Sequence, residues 1–175
     1  ARVLSKLEID PGLSLDITQC DELGNSWDFD KRHMREKARR MLEEQQPELL
    51  VGSPMCTAFS TWQRINRQRD PWRYKRELRK ARRHLEFVCE LYKMRLDSGR
   101  LFLHEHPEHA SSWSALCVQK LLRKEGVRSV GMDQCQLGQA DRHGCPIKKP
   151  TRWMSNSREI LARLNKRCHG TEGAC

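Results

Sequence analysis

Pro47-Glu-Leu-Leu-Val-Gly-Ser-Pro-Met-Cys-Thr-Ala-Phe-Ser60 is the stretch that decides the predicted fold. Its apolar run, Leu49 to Val51, is too short for a helix and lies between a proline and a glycine, so it predicts a buried strand of a parallel sheet. Pro54 lacks an amide donor and therefore takes the chain out of the sheet. Because ligands of open α/β sheets bind beyond the carboxyl ends of strands, Cys56 is predicted to lie at a ligand-binding edge.

The chain is strongly basic, with a net charge of +10 over 175 residues. This excess predicts an anionic partner, nucleic acid first, while the alternative is a cationic surface that only keeps the protein soluble. A hydrophobic fraction of 37% and a charged fraction of 32% are typical of a globular protein with a densely ionic surface. The length predicts a single domain over residues 1–175.

The eight cysteines are predicted to be reduced thiols rather than a disulfide framework, because most fall within predicted strands and helices. Neither a signal peptide nor a membrane-length apolar run is present, so we expect an intracellular protein, nuclear or cytoplasmic, without a membrane partner. Two groups are alternatives for a metal site: the histidines around Glu105, and the Cys and His residues between Cys135 and Cys175. The first group lacks a third ligand and the second lacks a close Cys-x2-Cys pair, so we predict no metal site.

Strands and helices are predicted to alternate along the chain. The strongest helical pattern runs from Arg73 to Ser98, with an apolar stripe at steps of three and four and Gly99 beyond its end. Arg100 to His104 is predicted as the next buried strand, whereas Thr57 to Trp72 is predicted as a loop or short helix. The other predicted elements are a strand at Leu13–Ile17, a helix at Lys31–Gln46 capped by Asp30, a helix from Ser111 or Ser112 to Gly126, strands at Val127–Cys135 and Trp153–Met154, and a helix at Ser157–Lys166. This alternation predicts an α/β three-layer sandwich with a mostly parallel sheet.

Two short motifs have the form of a site, and each follows a predicted strand. They are Gly52-Ser-Pro-Met-Cys56 and His104-Glu-His-Pro107. A strand–helix–strand crossover would place the two strands side by side, so Cys56 and Glu105 are predicted to share a pocket. A thiolate and a carboxylic acid suit covalent catalysis on an electron-poor ring, in which sulfur adds to carbon and the carboxyl group gives a proton to a ring nitrogen. The alternative is that Cys56 packs under a loop and Glu105 pairs with an arginine.

A cysteine loop after one strand and a glutamate motif after the next form the pattern of DNA cytosine-5 methyltransferases. The chain resembles a compact, divergent branch of that family, of the kind carried in retroelement-like polyproteins. The resemblance implies a Rossmann-like methyltransferase domain in which Cys56 attacks the base, Glu105 contacts it, and S-adenosylmethionine supplies the methyl group. Met55 and His106 stand where the family usually has proline and asparagine.

The resemblance also implies a set of cofactor contacts. Asp16 matches the acid that holds the ribose of the cofactor, and Trp27 and Asp28 fall where the adenine is usually flanked. Ser53 and Pro54 complete the expected set. No Gly-x-Gly pattern precedes Asp16, so two alternatives are open: the cofactor site is built differently, or the chain is a fragment that lacks the first strand and the Gly-rich turn of the domain.

The predicted nucleic-acid surface has two basic parts. One follows Cys56 and interleaves cations with aromatic residues that can stack on bases. The other, Lys148-Lys-Pro-Thr-Arg152, resembles the family segment that holds the nucleophile loop and the DNA backbone. The predicted contacts are Arg64, Arg67, Arg69, Lys148, Lys149 and Arg152. The leading prediction is a cytosine-5 methyltransferase-like domain acting on nucleic acid, DNA more than RNA; the alternatives are a non-catalytic nucleic-acid-binding domain of a retroelement-like polyprotein and a zinc-stapled interaction module.

Overall fold

A computed structural model of the chain describes residues 12–170. The chain divides into two compact units, Ala1–Pro47 and Glu48–Cys175. The first contains helix α1 (Arg32–Gln45); the second contains, in order, β1 (Leu49–Gly52), α2 (Gln63–Arg69), α3 (Pro71–Asp97), β2 (Leu101–Pro107), α4 (Leu116–Leu122), β3 (Arg128–Asp133), β4 (Pro150–Ser155) and α5 (Arg158–Leu164). Within the described range, no helix is long and apolar enough to cross a membrane.

Helix α1 in the first unit confirms the predicted helix, and its buried stripe repeats every four residues at Met34, Ala38 and Leu42. The predicted cap is wrong, because the residue before the helix is Lys31 and its side chain makes no capping hydrogen bond. The amide of Asp30 instead donates to the carboxylate of Asp28.

The strand predicted at Leu13–Ile17 is also wrong, because these residues form no regular strand. The carboxylate of Asp16 accepts hydrogen bonds from the amide of Thr18 at 2.9 Å and from its hydroxyl at 2.6 Å. A short acidic side chain that bonds the backbone two residues ahead closes a local turn, and this competes with an extended conformation.

The sheet of the second unit has the strand order β1-β2-β4-β3. β1 and β2 are parallel, in register from Leu49–Leu101 to Gly52–His104. β4 is antiparallel to both of its neighbours. The fold is therefore α/β, but the prediction of a mostly parallel sheet is wrong and the sheet is mixed. Residues 134–149 join β3 to β4 without an α-helix, and a strand that returns without a crossover helix does so in the antiparallel sense.

β1 is an edge strand of this sheet rather than a buried one. It pairs with β2 alone, and Val51 is 57% exposed. The prediction of a buried strand is therefore wrong for one face. The other face is covered: Leu50 packs against the hydrophobic core, and Gly52 lies against Tyr92.

The predicted long helix is confirmed as α3. It begins at Pro71, two positions before the predicted start, because the carboxylate of Asp70 accepts a hydrogen bond from the amide of Arg73 at 2.9 Å. Its end is set by Gly99, whose φ of 67° is favourable for glycine. Its buried stripe includes Leu85 and Tyr92, which pack with β2, α4 and the 3₁₀ turn Thr57–Phe59 in one core.

Candidate functional site

Two hydrogen bonds join the loop after β1 to the end of β2; we call this set of residues, Ser53, Pro54, Glu105 and His106, the loop–strand contact. The hydroxyl of Ser53 donates to Oε2 of Glu105 at 2.5 Å. Nε2 of His106 lies 3.0 Å from the carbonyl oxygen of Pro54. The parallel pairing of β1 and β2 confirms the prediction that these strands lie side by side with their carboxyl ends at one edge.

The hydrogen bonds of His106 determine its tautomer. The carbonyl of Pro54 can only accept, so Nε2 carries the proton and donates to it. Nδ1 of the neutral ring is then an acceptor, and the hydroxyl of Ser112 donates to it at 2.5 Å. Burial lowers the pKa of His106, while the hydrogen bond to Pro54 acts in the opposite direction. A neutral His106 thus fixes the backbone of the cysteine loop.

His104 supports this arrangement from within the core. Its ring is fully buried, stacks with His106 at 5.4 Å between centroids and meets the edge of Trp113 at 5.3 Å. A hydrogen bond of 3.1 Å joins its Nδ1 to the hydroxyl of Tyr92. Burial lowers the pKa of His104 to about 3, so the ring is neutral near pH 7.

Gly52 allows the loop to begin where it does. A methyl group on its Cα would lie 2.1 Å from the hydroxyl oxygen of Tyr92. That phenol is fully buried between Phe102, on which it stacks at 4.7 Å, and His104. Only a residue without a side chain lets β1 pass this close to the Tyr92 hydroxyl.

Cys56 lies directly before the 3₁₀ turn Thr57–Phe59, and its carbonyl accepts a hydrogen bond from the amide of Phe59 at 2.9 Å. The side chain is half-buried. Across residues 12–170, no hydrogen bond connects the thiol to Glu105. The structure thus brings the cysteine loop to Glu105 through Ser53, the first residue after β1.

Glu105 is half-buried, and its two carboxylate oxygens differ. Oε2 accepts from Ser53, whereas Oε1 is covered and has no hydrogen-bond partner among the described residues. An unpaired acceptor removed from water is costly unless a ligand or a proton satisfies it. Glu105 is therefore the member of the loop–strand contact with one carboxylate oxygen that accepts no hydrogen bond from the described residues.

The residues predicted to hold S-adenosylmethionine are Asp16, Trp27 and Asp28 in the first unit, and Ser53 and Pro54 in the second. Trp27 is 5% exposed, with its ring against Phe29 and Lys37, so it has no open face for an adenine. The carboxylates of Asp16 and Asp28 accept hydrogen bonds from amides two residues ahead, at Thr18 and Asp30. The Ser53 hydroxyl and the Pro54 carbonyl are engaged with β2.

The predicted nucleic-acid contacts are spread over two regions and differ in accessibility. Arg64 lies in α2, as do Arg67 and Arg69, whose side chains are exposed. Lys148 and Lys149 are exposed in the loop before β4. Arg152 is half-buried: its guanidinium lies 4.7 Å from the ring centroid of Trp113 and donates to the hydroxyl of Ser129 at 2.7 Å. Packing therefore holds the side chain of Arg152 in place, whereas those of Arg67, Arg69, Lys148 and Lys149 are exposed to solvent.

The basic segment after Cys56, which was predicted to interleave cations with aromatic residues, contains two exposed indoles. Trp62 is 76% exposed and Trp72 is 83% exposed, although tryptophan is usually well buried. A cleft of about 530 Å³ is lined by Met55 and Thr57 on either side of Cys56, by residues of α2 and by the start of α3. The sequence did not indicate this cleft, because its walls come from elements that are brought together only by packing.

No group of three or more His, Cys, Asp or Glu side chains in the described range is arranged to hold a metal ion. No family model, curated protein or solved structure matches the chain in the comparisons with known proteins.

Proposed function

We propose that the unit Glu48–Cys175 is a cytosine-5 methyltransferase-like domain, of the Rossmann-like methyltransferase type, that acts on cytosine in DNA through the thiol of Cys56. The hydrogen bond between Ser53 and Glu105 is the observation that supports this proposal most strongly, since it ties the cysteine loop to a carboxyl group with one unpaired oxygen. The net charge of +10 suits a polyanionic substrate.

The reaction that these two residues support is reversible addition to the pyrimidine ring. The Cys56 thiolate forms a bond to C6 while the carboxylic acid of Glu105 gives its proton to N3, and the electron pair of the C5=C6 bond becomes an enamine. C5 then takes a proton from water. Loss of the other C5 proton to water, return of the N3 proton to Glu105 and expulsion of the thiolate restore cytosine with a hydrogen exchanged at C5.

The methyl donor implied by the resemblance is S-adenosylmethionine, which would supply a methyl group to the same carbon. The proposed step uses only the thiol, the carboxyl group and the base. In a duplex the target base must first leave the stack, since C6 cannot be attacked inside it.

Exchange at C5 tests the proposal without any methyl donor. DNA carrying tritium at C5 of cytosine is incubated with the 175-residue chain, and tritium released to water is counted. We expect release by the unmodified chain and only background release by Cys56→Ser. Cys145→Ser, at an exposed thiol in the loop before β4, is the matched control and should release tritium like the unmodified chain. Release by Cys56→Ser at the unmodified rate would contradict the mechanism.

A second candidate function is a non-catalytic nucleic-acid-binding domain of a retroelement-like polyprotein. The burial of Trp27 and the local hydrogen bonds of Asp16 and Asp28 favour it, because a binding domain needs the basic surface but no methyl donor. Calorimetric titration separates the two: heat with DNA, none with S-adenosylmethionine and no tritium release would establish the binding domain.

A further inference from the structure

The surface formed by α2 and the start of α3 combines large exposed aromatic rings with cations; we call Trp62, Arg67, Arg69, Trp72 and Arg73 the tryptophan surface. Both indoles are more than three-quarters exposed, at 76% for Trp62 and 83% for Trp72. Nζ of Lys75 lies 5.6 Å from the ring centroid of Trp72, which places a cation on one face of that indole and leaves the other face open.

The charge of this region indicates the chemistry of its partner. Residues 61–83 contain ten Lys or Arg and two Asp or Glu, so they account for +8 of the net charge of +10. Arg67, Arg69 and Arg73 are exposed and form no ion pair within residues 12–170. A protein partner with an apolar face would not require this density of cations, whereas a chain of phosphates would.

Arg69 and Arg73 of the tryptophan surface also line a cleft that two residues of the cysteine loop line from the other side. Its walls include Arg69, Arg73 and Tyr74 on the helical side, and Met55 and Thr57 on the loop side. Cys56 lies between those two loop residues in the chain. Asn66 and Gln63 also line the cleft and are hydrogen-bonded to each other at 3.0 Å, so the polar floor has a defined geometry.

We propose that the tryptophan surface binds single-stranded DNA, with unpaired bases stacked on Trp62 and Trp72 and phosphates held by Arg67, Arg69 and Arg73. Stacking on an indole needs a free base face, which a duplex offers only at its ends. The proposal rests on the proposed function and specifies its substrate: an unpaired strand presents cytosine without the energy needed to flip it out of a duplex.

Intrinsic fluorescence and anisotropy test this assignment with the 175-residue chain and a short cytosine-containing DNA oligonucleotide. Base stacking quenches indole emission, so we expect quenching by the single strand and binding at least tenfold weaker to the corresponding duplex. Replacing both rings by leucine (W62L/W72L) should weaken single-strand binding by about tenfold or more, because each base that stacks on an aromatic ring adds to the affinity. Preference for the duplex, or at least tenfold tighter binding of the same sequence as RNA, would overturn the proposal.

Phenylalanine variants separate stacking from general apolar contact. W62F/W72F keeps aromatic faces and should bind within a few fold of the unmodified chain, while the quenching disappears. Leu116→Ala, at an exposed apolar residue of α4, is the control and should change neither affinity nor quenching. Equal binding by the leucine and phenylalanine variants would show that stacking is not the interaction and would overturn the proposal.

Failure of this inference can be told from failure of the proposed function. If W62L/W72L binds the single strand normally while Cys56→Ser abolishes tritium release, the tryptophan surface is not the binding site but the chemistry stands. If single-strand binding requires both rings while Cys56→Ser still releases tritium, the surface stands and the proposed chemistry is wrong.

Discussion

The loop–strand contact and the tryptophan surface lie in the same unit and differ in where their side chains find partners. In the first, Ser53 is bonded to Glu105 and His106 is bonded to Pro54 and Ser112, and His106 is fully buried. In the second, two indoles face solvent and the described arginines have no ion-pair partner within residues 12–170. Contacts within the folded chain therefore explain the geometry of the loop–strand contact, whereas the exposed rings of the tryptophan surface are typical of a binding site.

The same difference assigns roles within the proposed reaction. A buried, hydrogen-bonded histidine fixes the cysteine loop before any substrate arrives, which is what a reacting group needs to be held in place. Exposed indoles and arginines lose conformational freedom only when a strand binds. Changes in the loop–strand contact should therefore alter stability first, and changes in the tryptophan surface should alter binding first.

Gly52→Ala should give the largest loss of stability. The added methyl would overlap the Tyr92 hydroxyl at 2.1 Å, and the buried phenol cannot move without disturbing Phe102 and His104. Overpacking of this kind costs about 3 kcal/mol. Urea unfolding followed by circular dichroism measures it.

Tyr92→Phe provides the matched control, because it removes the oxygen that the methyl meets. The double variant G52A/Y92F should be more stable than Gly52→Ala alone, although each single change destabilises. If the two losses of stability simply add in the double variant, Gly52 and Tyr92 do not interact, and the close approach of β1 to the Tyr92 hydroxyl is wrong.

Acid should weaken the loop–strand contact next. His104 and His106 are neutral in the native protein, since burial lowers both pKa values, that of His104 to about 3 from an ordinary 6.5. Between pH 6.5 and about 3, His104 binds a proton in the unfolded chain but not in the native chain, and the lowered pKa of His106 acts in the same direction. The free energy of unfolding therefore falls as the pH falls. Each such proton contributes about 1.4 kcal/mol per pH unit at most. Urea unfolding at a series of pH values measures the slope.

His106→Asn tests how much of this pH dependence of stability is due to His106. Asparagine can donate to the Pro54 carbonyl but does not titrate, so its stability curve should be flatter in acid than that of the unmodified chain. Identical curves would mean that His106 has no part in the acid sensitivity and that other groups cause it.

The elements that the sequence predicted well are those decided by local pattern. The apolar stripe of α3, with Pro71 and Gly99 at its ends, defines a helix without reference to the rest of the fold, and the run Leu49–Val51 defines a strand. Burial and direction depend on distant residues. β1 is an edge strand because it pairs with β2 alone, and β4 is antiparallel to its neighbours β2 and β3. No local sequence pattern encodes these pairings.

The site shows the same division. The adjacency of the two motifs follows from a parallel strand pair, so it was predictable, and the parallel pair is confirmed. The hydrogen bonds from Ser112 to His106 and between Tyr92 and His104 were not predictable, because each joins side chains that only the packing of separate elements brings together. Asp16 and Trp27 were assigned by resemblance alone, and local hydrogen bonding and burial give them other roles.

Replacing the two exposed indoles should have the smallest effect on stability, which completes the comparison. W62L/W72L should keep its free energy of unfolding within about 0.5 kcal/mol of the unmodified chain, because neither ring packs in the core and leucine is well tolerated in a first helical turn. Trp113→Leu is the contrasting control: this ring is 5% exposed and its Nε1 donates to the Pro107 carbonyl at 2.8 Å, so its replacement should cost about 3 kcal/mol. If W62L/W72L lost as much stability as Trp113→Leu in urea unfolding, the indoles would be part of the folded core. Their exposure would then no longer distinguish the tryptophan surface from the loop–strand contact.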